Sequence, residues 1–372
     1  MNLRPLRSGL RIRLCSALLV LPVVLGPFHY RSAAPGYRIQ FPRDHASHPD
    51  YRTEWWYYTG HLRSPSGEEF GFQLTFFRSG LKDLAREENP SAWKAEDLYF
   101  AHFALSDLKH RKFFFWQKMN RTVLGRAGSR TDRYQVWVEN WSAQLQGGTH
   151  FLKAAASEGE INLALRPRKG PVLHGEQGLS RKGAGEGRAT YYYSLTRLAA
   201  MGSLRLGEKV FAVNGETWMD HEFGSNQLDP EQVGWDWFGL QLEDGTEIML
   251  YQIRRRGGGV DPFSSGTRVL ADGRSIHLPS GAFSVEATGR WRSPRSQTPY
   301  PSGWVLLIPG EGIELTVTPA FPEQELDTSL TTGIIYWEGS VQVRGTQRGK
   351  PIRGKGYVEL TGYKESLGKK FE

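Results

Sequence analysis

Short runs of alternating or aromatic residues, each closed by Gly, Pro, Asn or Ser, follow one another along the chain, as in Glu69–Phe77, Leu98–Leu105, Tyr134–Val138 and Trp304–Ile308. A period of two with frequent turn residues is the pattern of antiparallel strands, because successive side chains leave a strand on opposite sides. Aromatic residues make up 12% of the sequence, with 12 Trp, 15 Tyr and 19 Phe. Such side chains favour pleated surfaces over helices. The best helical candidate, LKDLAREENPSAWKAEDL from Leu81 to Leu98, is interrupted by Asn89-Pro90. The chain is therefore read as all-β, a sandwich or a barrel.

An internal echo divides it. WWYYTGHLRSPSGEEFGFQLTFFR, Trp55 to Arg78, aligns with WDWFGLQLEDGTEIMLYQIRR, Trp235 to Arg255, once the second loop is shortened by two residues. Trp55 then pairs with Trp235, Leu62 with Leu242, Gly67 with Gly245 and Glu69 with Glu247. Each copy reads as a strand, a Gly-containing turn and a second strand. A chain of 372 residues also exceeds the size at which single cores usually stop growing, about 250 to 300 residues. Two tandem β domains are expected, over residues 35–212 and 213–372.

Residues 1–34 are expected to lie outside both. Met1–Arg13 is basic and Leu14–Leu25 is apolar, the order found in an export signal, and the apolar run falls short of the roughly 20 residues a spanning helix needs. The segment reads as an export signal or an N-terminal anchor. The protein is expected to be periplasmic, secreted or held at the inner membrane by an uncleaved signal, with membrane contact available through this segment. Cys15, the sole cysteine, lies inside it, so no internal disulfide is available to the rest. The formal charge of +8 is scattered rather than gathered on a face, which argues against a nucleic-acid partner. The basic-aromatic stretch Lys109–Lys118 reads as a turn entering a strand. The Gly-rich loop Gly178–Arg188 has neither phosphate-binding fingerprint.

The stretch TWMDHEFGS, Thr217–Ser225, carries the most chemistry. Alternation puts Trp218, Asp220 and Glu222 on one face and Met219, His221 and Phe223 on the other. A carboxyl group among indole and phenyl rings loses hydration, which raises its pKa by up to about 3–5 units when burial is complete. Asp220 is thus the candidate proton donor, with Glu222 or Glu54 as the base that orders a water molecule. A cationic intermediate would be cradled by Trp55, Trp56, Tyr57, Trp218, Trp235 and Trp237. Four desolvated cation–π contacts at about 2 kcal/mol each give about 8 kcal/mol, the lower end of what enzymes supply, so the acid must provide the rest. His102 and His221 are the histidines assigned to the ligand site. Competing readings remain: Trp55 or Trp235 as a barrel plug, and Asp220 and Glu222 as framework acids paired with arginine or backbone amides. His45, His48, Asp44 and Asp50 offer metal-ligand atoms, but the stretch reads as a polar entry loop, and His221 turns away from both neighbouring acids; no metal and no cofactor are expected. Ser106, Ser194 and Ser225 lie near histidines in sequence only, and no GxSxG elbow is present.

Four ordered motifs, EWWYYTGHL, GETWMDHEFGS, GWDWFGLQL and GYVELTGY, together make the chain resemble the exported AttH and carotenoid 1,2-hydratase (hydroxyneurosporene synthase) family over most of residues 37–366. The resemblance implies two tandem lipocalin-like antiparallel β-barrels and an apolar partner molecule of isoprenoid, polyketide or lipid type. The resemblance does not fix a reaction; with Asp220 as acid and the tryptophans as cation support, the enzyme reading is hydration or rearrangement of that molecule by acid catalysis, a candidate hydro-lyase activity. A non-catalytic lipid carrier or envelope chaperone is the alternative, and a secreted hydrolase the third.

Overall fold

A computed structural model describes residues 29–81, 96–226 and 228–368. Residues 1–28 of the segment read as an export signal, and most of the helical candidate Leu81–Leu98, lie outside the described residues. The end of that segment, expected outside both domains, instead packs on the first barrel: Ala33 is buried beside Tyr51 and Tyr191, and the Ala34 N–H donates to the Tyr191 hydroxyl at 2.9 Å. Thirteen strands form the first sheet: β1 (Thr53–Arg63), β2 (Glu69–Gly80), β3 (Asp97–Asp107), β4 (Lys112–Arg121), β5 (Ala127–Ser129), β6 (Gln135–Val138), β7 (Trp141–Gln146), β8 (Thr149–Ala155), β9 (Gly159–Pro167), β10 (Val172–Leu173), β11 (Leu179–Arg181), β12 (Ala189–Leu206) and β13 (Lys209–Asn226). The rest of the chain supplies β14 (Gln232–Leu242), β15 (Glu247–Arg255), β16 (Ser265–Val269), β17 (Ser275–Pro279), β18 (Ser284–Ala287), β19 (Arg290–Arg292), β20 (Pro299–Pro301), β21 (Trp304–Ile308), β22 (Ile313–Pro319), β23 (Glu325–Thr328), β24 (Ile334–Gln347) and β25 (Lys350–Leu360). Ten of these make the second sheet, and β19 and β20 form a separate ribbon.

The first sheet runs β4-β3-β2-β1-β13-β12-β9-β8-β7-β6-β5, all antiparallel, and curls until its ends meet. Tyr99 of β3 bonds Ser129 of β5 at 2.8 Å, and Lys118 of β4 reaches Glu139 at 3.0 Å. Inside lies a core that includes Trp56, Tyr58, Phe72, Phe76, Phe103 and Trp141. The second sheet, β17-β16-β15-β14-β25-β24-β22-β21-β18, wraps a core with Phe238, Leu240, Trp304, Trp337 and Val358. The protein is all-β, two lipocalin-like barrels in tandem. The boundary expected at 212/213 falls within β13, all of which pairs in the first sheet; the chain passes to the second between Asn226 and Gln232.

The internal echo is structural. β1–β2 and β14–β15 are both hairpins, and the paired glycines Gly67 and Gly245 both take positive φ, 92° and 80°. Each donates its N–H three residues back, to Ser64 and Leu242 respectively, closing the same type of tight turn. The barrels meet along the faces of β1, β2, β12 and β13 on one side and β14, β15, β24 and β25 on the other. This is why the run WWYY carries no polar alternation: Trp56 and Tyr58 fill the first barrel, while Trp55 and Tyr57 join Tyr192, Trp218, Trp237, Tyr251 and Tyr357 in a third, shared core. Polar contacts stitch the seam, among them His61 to Ser340 (2.9 Å), His102 to Tyr336 (3.0 Å) and His174 to Thr267 (2.9 Å).

Candidate active site

A cavity of about 370 Å³ opens in the seam. Its walls carry Trp55, Tyr57, Phe77, Phe100, Tyr192, Trp235, Trp237, Tyr251 and Tyr336, together with the acids Asp220, Glu222, Glu338 and Glu359. The strand registers explain how they converge. Tyr57, Asp220 and Ser194 are cross-strand neighbours over β1, β13 and β12, and Trp237, Glu359 and Glu338 form the matching row over β14, β25 and β24. The two rows face each other as the echoed hairpins do.

Asp220 is 4% exposed. Its carboxyl group receives hydrogen bonds from the Trp218 indole N–H (2.6 Å), the Tyr192 hydroxyl (2.8 Å) and the Ser194 hydroxyl. All three donors are neutral, and among the hydrogen-bond and ion-pair partners described for it none is a guanidinium. Burial pushes its pKa up to about 7, with nearby Glu222 adding to the rise and the three donors holding it back. Glu359 is its counterpart. Burial lifts it to about 7 as well, against the pull of one hydrogen bond from the Trp235 indole at 2.9 Å. Glu338 is raised further above the usual carboxylate range, by burial and then by the charge of Glu359.

Glu222 lies on the same face as Asp220, as alternation requires, but forms an ion pair with Lys182 at 3.1 Å and accepts a bond from Thr190. Lys182 comes from the Gly-rich loop, which therefore closes one side of the cavity. Burial draws its ammonium group down, yet Glu222 more than offsets this and the net shift is upward; the ammonium also sits 4.1 Å from the Tyr251 ring centre. His102 borders the cavity with both ring nitrogens engaged, by Tyr336 and Thr331 at 3.0 Å each. Burial lowers its pKa to about 3, so the ring is neutral.

Three expected site residues sit elsewhere. Trp218 supports Asp220 from the side and is not part of the cavity wall. Trp56 and His221 are 0% exposed inside the first barrel, stacked on each other with ring centres 5.1 Å apart, because they occupy the opposite face from Trp55 and Asp220. Glu54 does border the cavity, but its carboxylate is engaged on the inner face beside His221. Its carboxylate is bonded by Arg78 (3.1 Å), His221 (2.9 Å), His48 (2.8 Å) and Ser47 (2.8 Å). Burial would raise its pKa, but the two histidines and the guanidinium outweigh that and hold it well below the usual range. A charge-compensated carboxylate cannot serve as a free base for the cavity. His48, Glu54 and His221 place ligand atoms within 4.8 Å of one another, an arrangement that can hold a metal ion. A cation there would stand next to the Arg78 guanidinium and displace both histidine bonds to Glu54, so the cluster fits protons better than a metal.

The serines do not make a hydrolase site. Ser194 does meet a histidine in space, with His174 Nε2 at 2.6 Å, which sequence proximity alone did not reveal. The order is wrong for a nucleophile, however: the serine stands between histidine and aspartate, donating to Asp220, whereas activation needs the histidine in the middle. Ser106 is bonded to Gln324 and Ser225 to the backbone of Arg31. Sequence reasoning missed Glu338 and Glu359. The signal was present in the echo, since the residue that opposes Trp237 in the second hairpin's neighbouring strand corresponds to Asp220 opposite Tyr57.

The AttH-like family model matches residues 32–363. Among solved structures, the putative AttH of Nitrosomonas europaea is 34% identical, with a TM-score of 0.81 over 90% of this chain and 99% of that one. Kievitone hydratase from Nectria haematococca is 15% identical, with a TM-score of 0.69 over 90% and 96%, and shares the fold. CghA also shares the fold, at 13% identity and a TM-score of 0.53 over 91% and 97%. No curated protein matches the chain in sequence.

Proposed function

The chain belongs to the AttH-like family, and from that premise we propose that its inter-barrel cavity binds an apolar small molecule and protonates a carbon–carbon double bond within it, the first step of a hydration. The observation that carries this reading is Asp220: a buried carboxyl group held by neutral donors alone, with a pKa of about 7, in the wall of an aromatic cavity. The fold shared with a hydratase is consistent with it.

In the protonated state Asp220 delivers its proton to an alkene carbon, and the positive charge that develops on the neighbouring carbon faces the rings of Trp55, Trp235 and Trp237. Water adds to that carbon, and the proton it sheds returns to the Asp220 carboxylate, so the acid is restored and the net change is addition of one water. Trp218, Tyr192 and Ser194 stabilise the carboxylate formed midway. Without them the group would be too weak an acid to give up its proton, since burial alone shifts carboxyl groups by up to about 3–5 units. Lys182 pairs with Glu222 at 3.1 Å, so this second acid of the cavity wall is committed to an ion pair and leaves the proton transfer to Asp220.

Asp220→Asn preserves size and most hydrogen bonding but removes the transferable proton. Native mass spectrometry of the protein purified from its own membrane extract identifies a bound molecule, and that molecule is then the substrate for the wild type and the variant. The variant is expected to bind it and leave it unconverted, with turnover reduced at least about 100-fold, the lower range for general acid catalysis. Conversion at the wild-type rate by Asp220→Asn would leave a carrier as the better reading.

A further inference from the structure

Three residues of the cavity wall carry polar atoms that are fully buried and have no hydrogen-bond partner: the Tyr57 hydroxyl, both carboxyl oxygens of Glu338, and the Gln73 side-chain oxygen. Four of the eight such atoms found among the described residues thus gather on this one cavity. Buried polar groups are normally satisfied, so a cluster of orphans on residues that line one cavity points to something that occupies it. Tyr57 and Gln73 project from the first barrel and Glu338 from the second. The Tyr57 hydroxyl and the Glu338 carboxyl group approach each other across the seam closely enough for a weak polar contact that shifts both ionisations, but short of a well-formed hydrogen bond, so both retain capacity for a better partner.

We infer that the cavity is built for a ligand that is apolar along most of its length but carries a carbonyl oxygen, seated between the Tyr57 hydroxyl and the Glu338 carboxyl group. Both groups are donors there. Burial keeps the Glu338 acid protonated and the Tyr57 phenol neutral, each raised well above its ordinary value. A carbonyl oxygen has two lone pairs and accepts both bonds. A tyrosine beside a carboxylic acid kept neutral by its apolar setting is an effective clamp for such an oxygen. A pure hydrocarbon would leave all of these atoms unpaired. Gln73, whose amide N–H is committed to Thr75 at 2.9 Å, presents its oxygen to a donor on the same end of the ligand or to water. The inference rests on the proposed role of the cavity as an apolar ligand site and adds the chemistry of one end of the ligand.

The test uses two probes with one carbon skeleton, the isoprenoid ketone geranylacetone and the diene that lacks its oxygen, with binding read by quenching of tryptophan fluorescence. The wild type is expected to bind the ketone at least about tenfold more tightly, as one added hydrogen bond commonly provides. Tyr57→Phe and Glu338→Leu should each shrink that preference toward unity while leaving the affinity for the diene unchanged or improved. Asp220→Asn should keep the preference. Equal binding of both probes by the wild type, or a preference that survives both Tyr57→Phe and Glu338→Leu, overturns the carbonyl clamp and leaves the apolar cavity standing. Failure of both probes to bind the wild type overturns the cavity as an apolar ligand site, and this inference with it.

Discussion

Asp220 and Glu54 are both buried carboxyl groups on adjoining strands, yet their surroundings drive them to opposite protonation states. Glu54 faces a guanidinium and two imidazoles and stays charged; Asp220 faces an indole and two hydroxyls and holds its proton until about pH 7. The sign of the pH effect follows. A group whose pKa is raised on folding contributes stability that is complete below its unfolded value, near 4, and is lost as the pH climbs through about 7. Asp220→Asn should therefore gain about 2–3 kcal/mol relative to the wild type between pH 5 and pH 8, at about 1.4 kcal/mol per unit of differential protonation. Urea unfolding of both proteins at the two pH values measures this, and a difference independent of pH would mean that Asp220 ionises normally. Turnover by the wild type should likewise fall as the pH rises past about 7, because the proton donor is consumed.

At the scale of strands, the hairpin β1–β2 does two jobs at once, lining one barrel's core with Trp56 and Tyr58 and the shared cavity with Trp55 and Tyr57. That demands close approach to the second barrel. Gly71 of β2 lies directly against the Tyr357 hydroxyl of β25, with the Ser340 and Ser106 side chains also in contact range of any added carbon. Gly71→Val would push against a buried tyrosine that has no room to swing aside. A loss of about 1–3 kcal/mol is expected, the usual cost of overpacking, read as a lower urea midpoint with an unchanged slope. Unaltered stability would indicate that the seam is looser than its packing implies.

For the molecule as a whole, the two barrels are expected to unfold together, because they share a core and a buried ion cluster. Glu247 of β15 is 0% exposed and accepts from Lys169 at 2.7 Å and Arg197 at 2.6 Å, both from the first-barrel half of the chain. Glu247→Gln leaves two cations facing each other without their common partner. The cost should be about 3–5 kcal/mol, as when one member of a buried pair is removed. Calorimetry should show a single transition that moves down intact. Two separated transitions, only one of them shifted, would show the barrels to be independent.

Much of this was legible from the sequence. Alternation along Thr217–Ser225 placed Asp220 and Glu222 on one side and His221 on the other, and the echo of Trp55–Arg78 in Trp235–Arg255 marked two barrels with matching hairpins. Alternation also separates Trp56 from Trp55 and Glu54 from Tyr57, but which side faces a barrel interior and which faces the neighbour depends on how two curved sheets dock. Glu338 and Glu359 lie more than 100 residues from Asp220 in a different barrel, and only that docking brings their carboxyl groups to the same space. The sequence by itself determined the strands, their faces and the supply of acids and rings. Tertiary structure decided which acids lose water without gaining a cation, because hydration and neighbouring charge are properties of a place in the fold and not of a position in the chain.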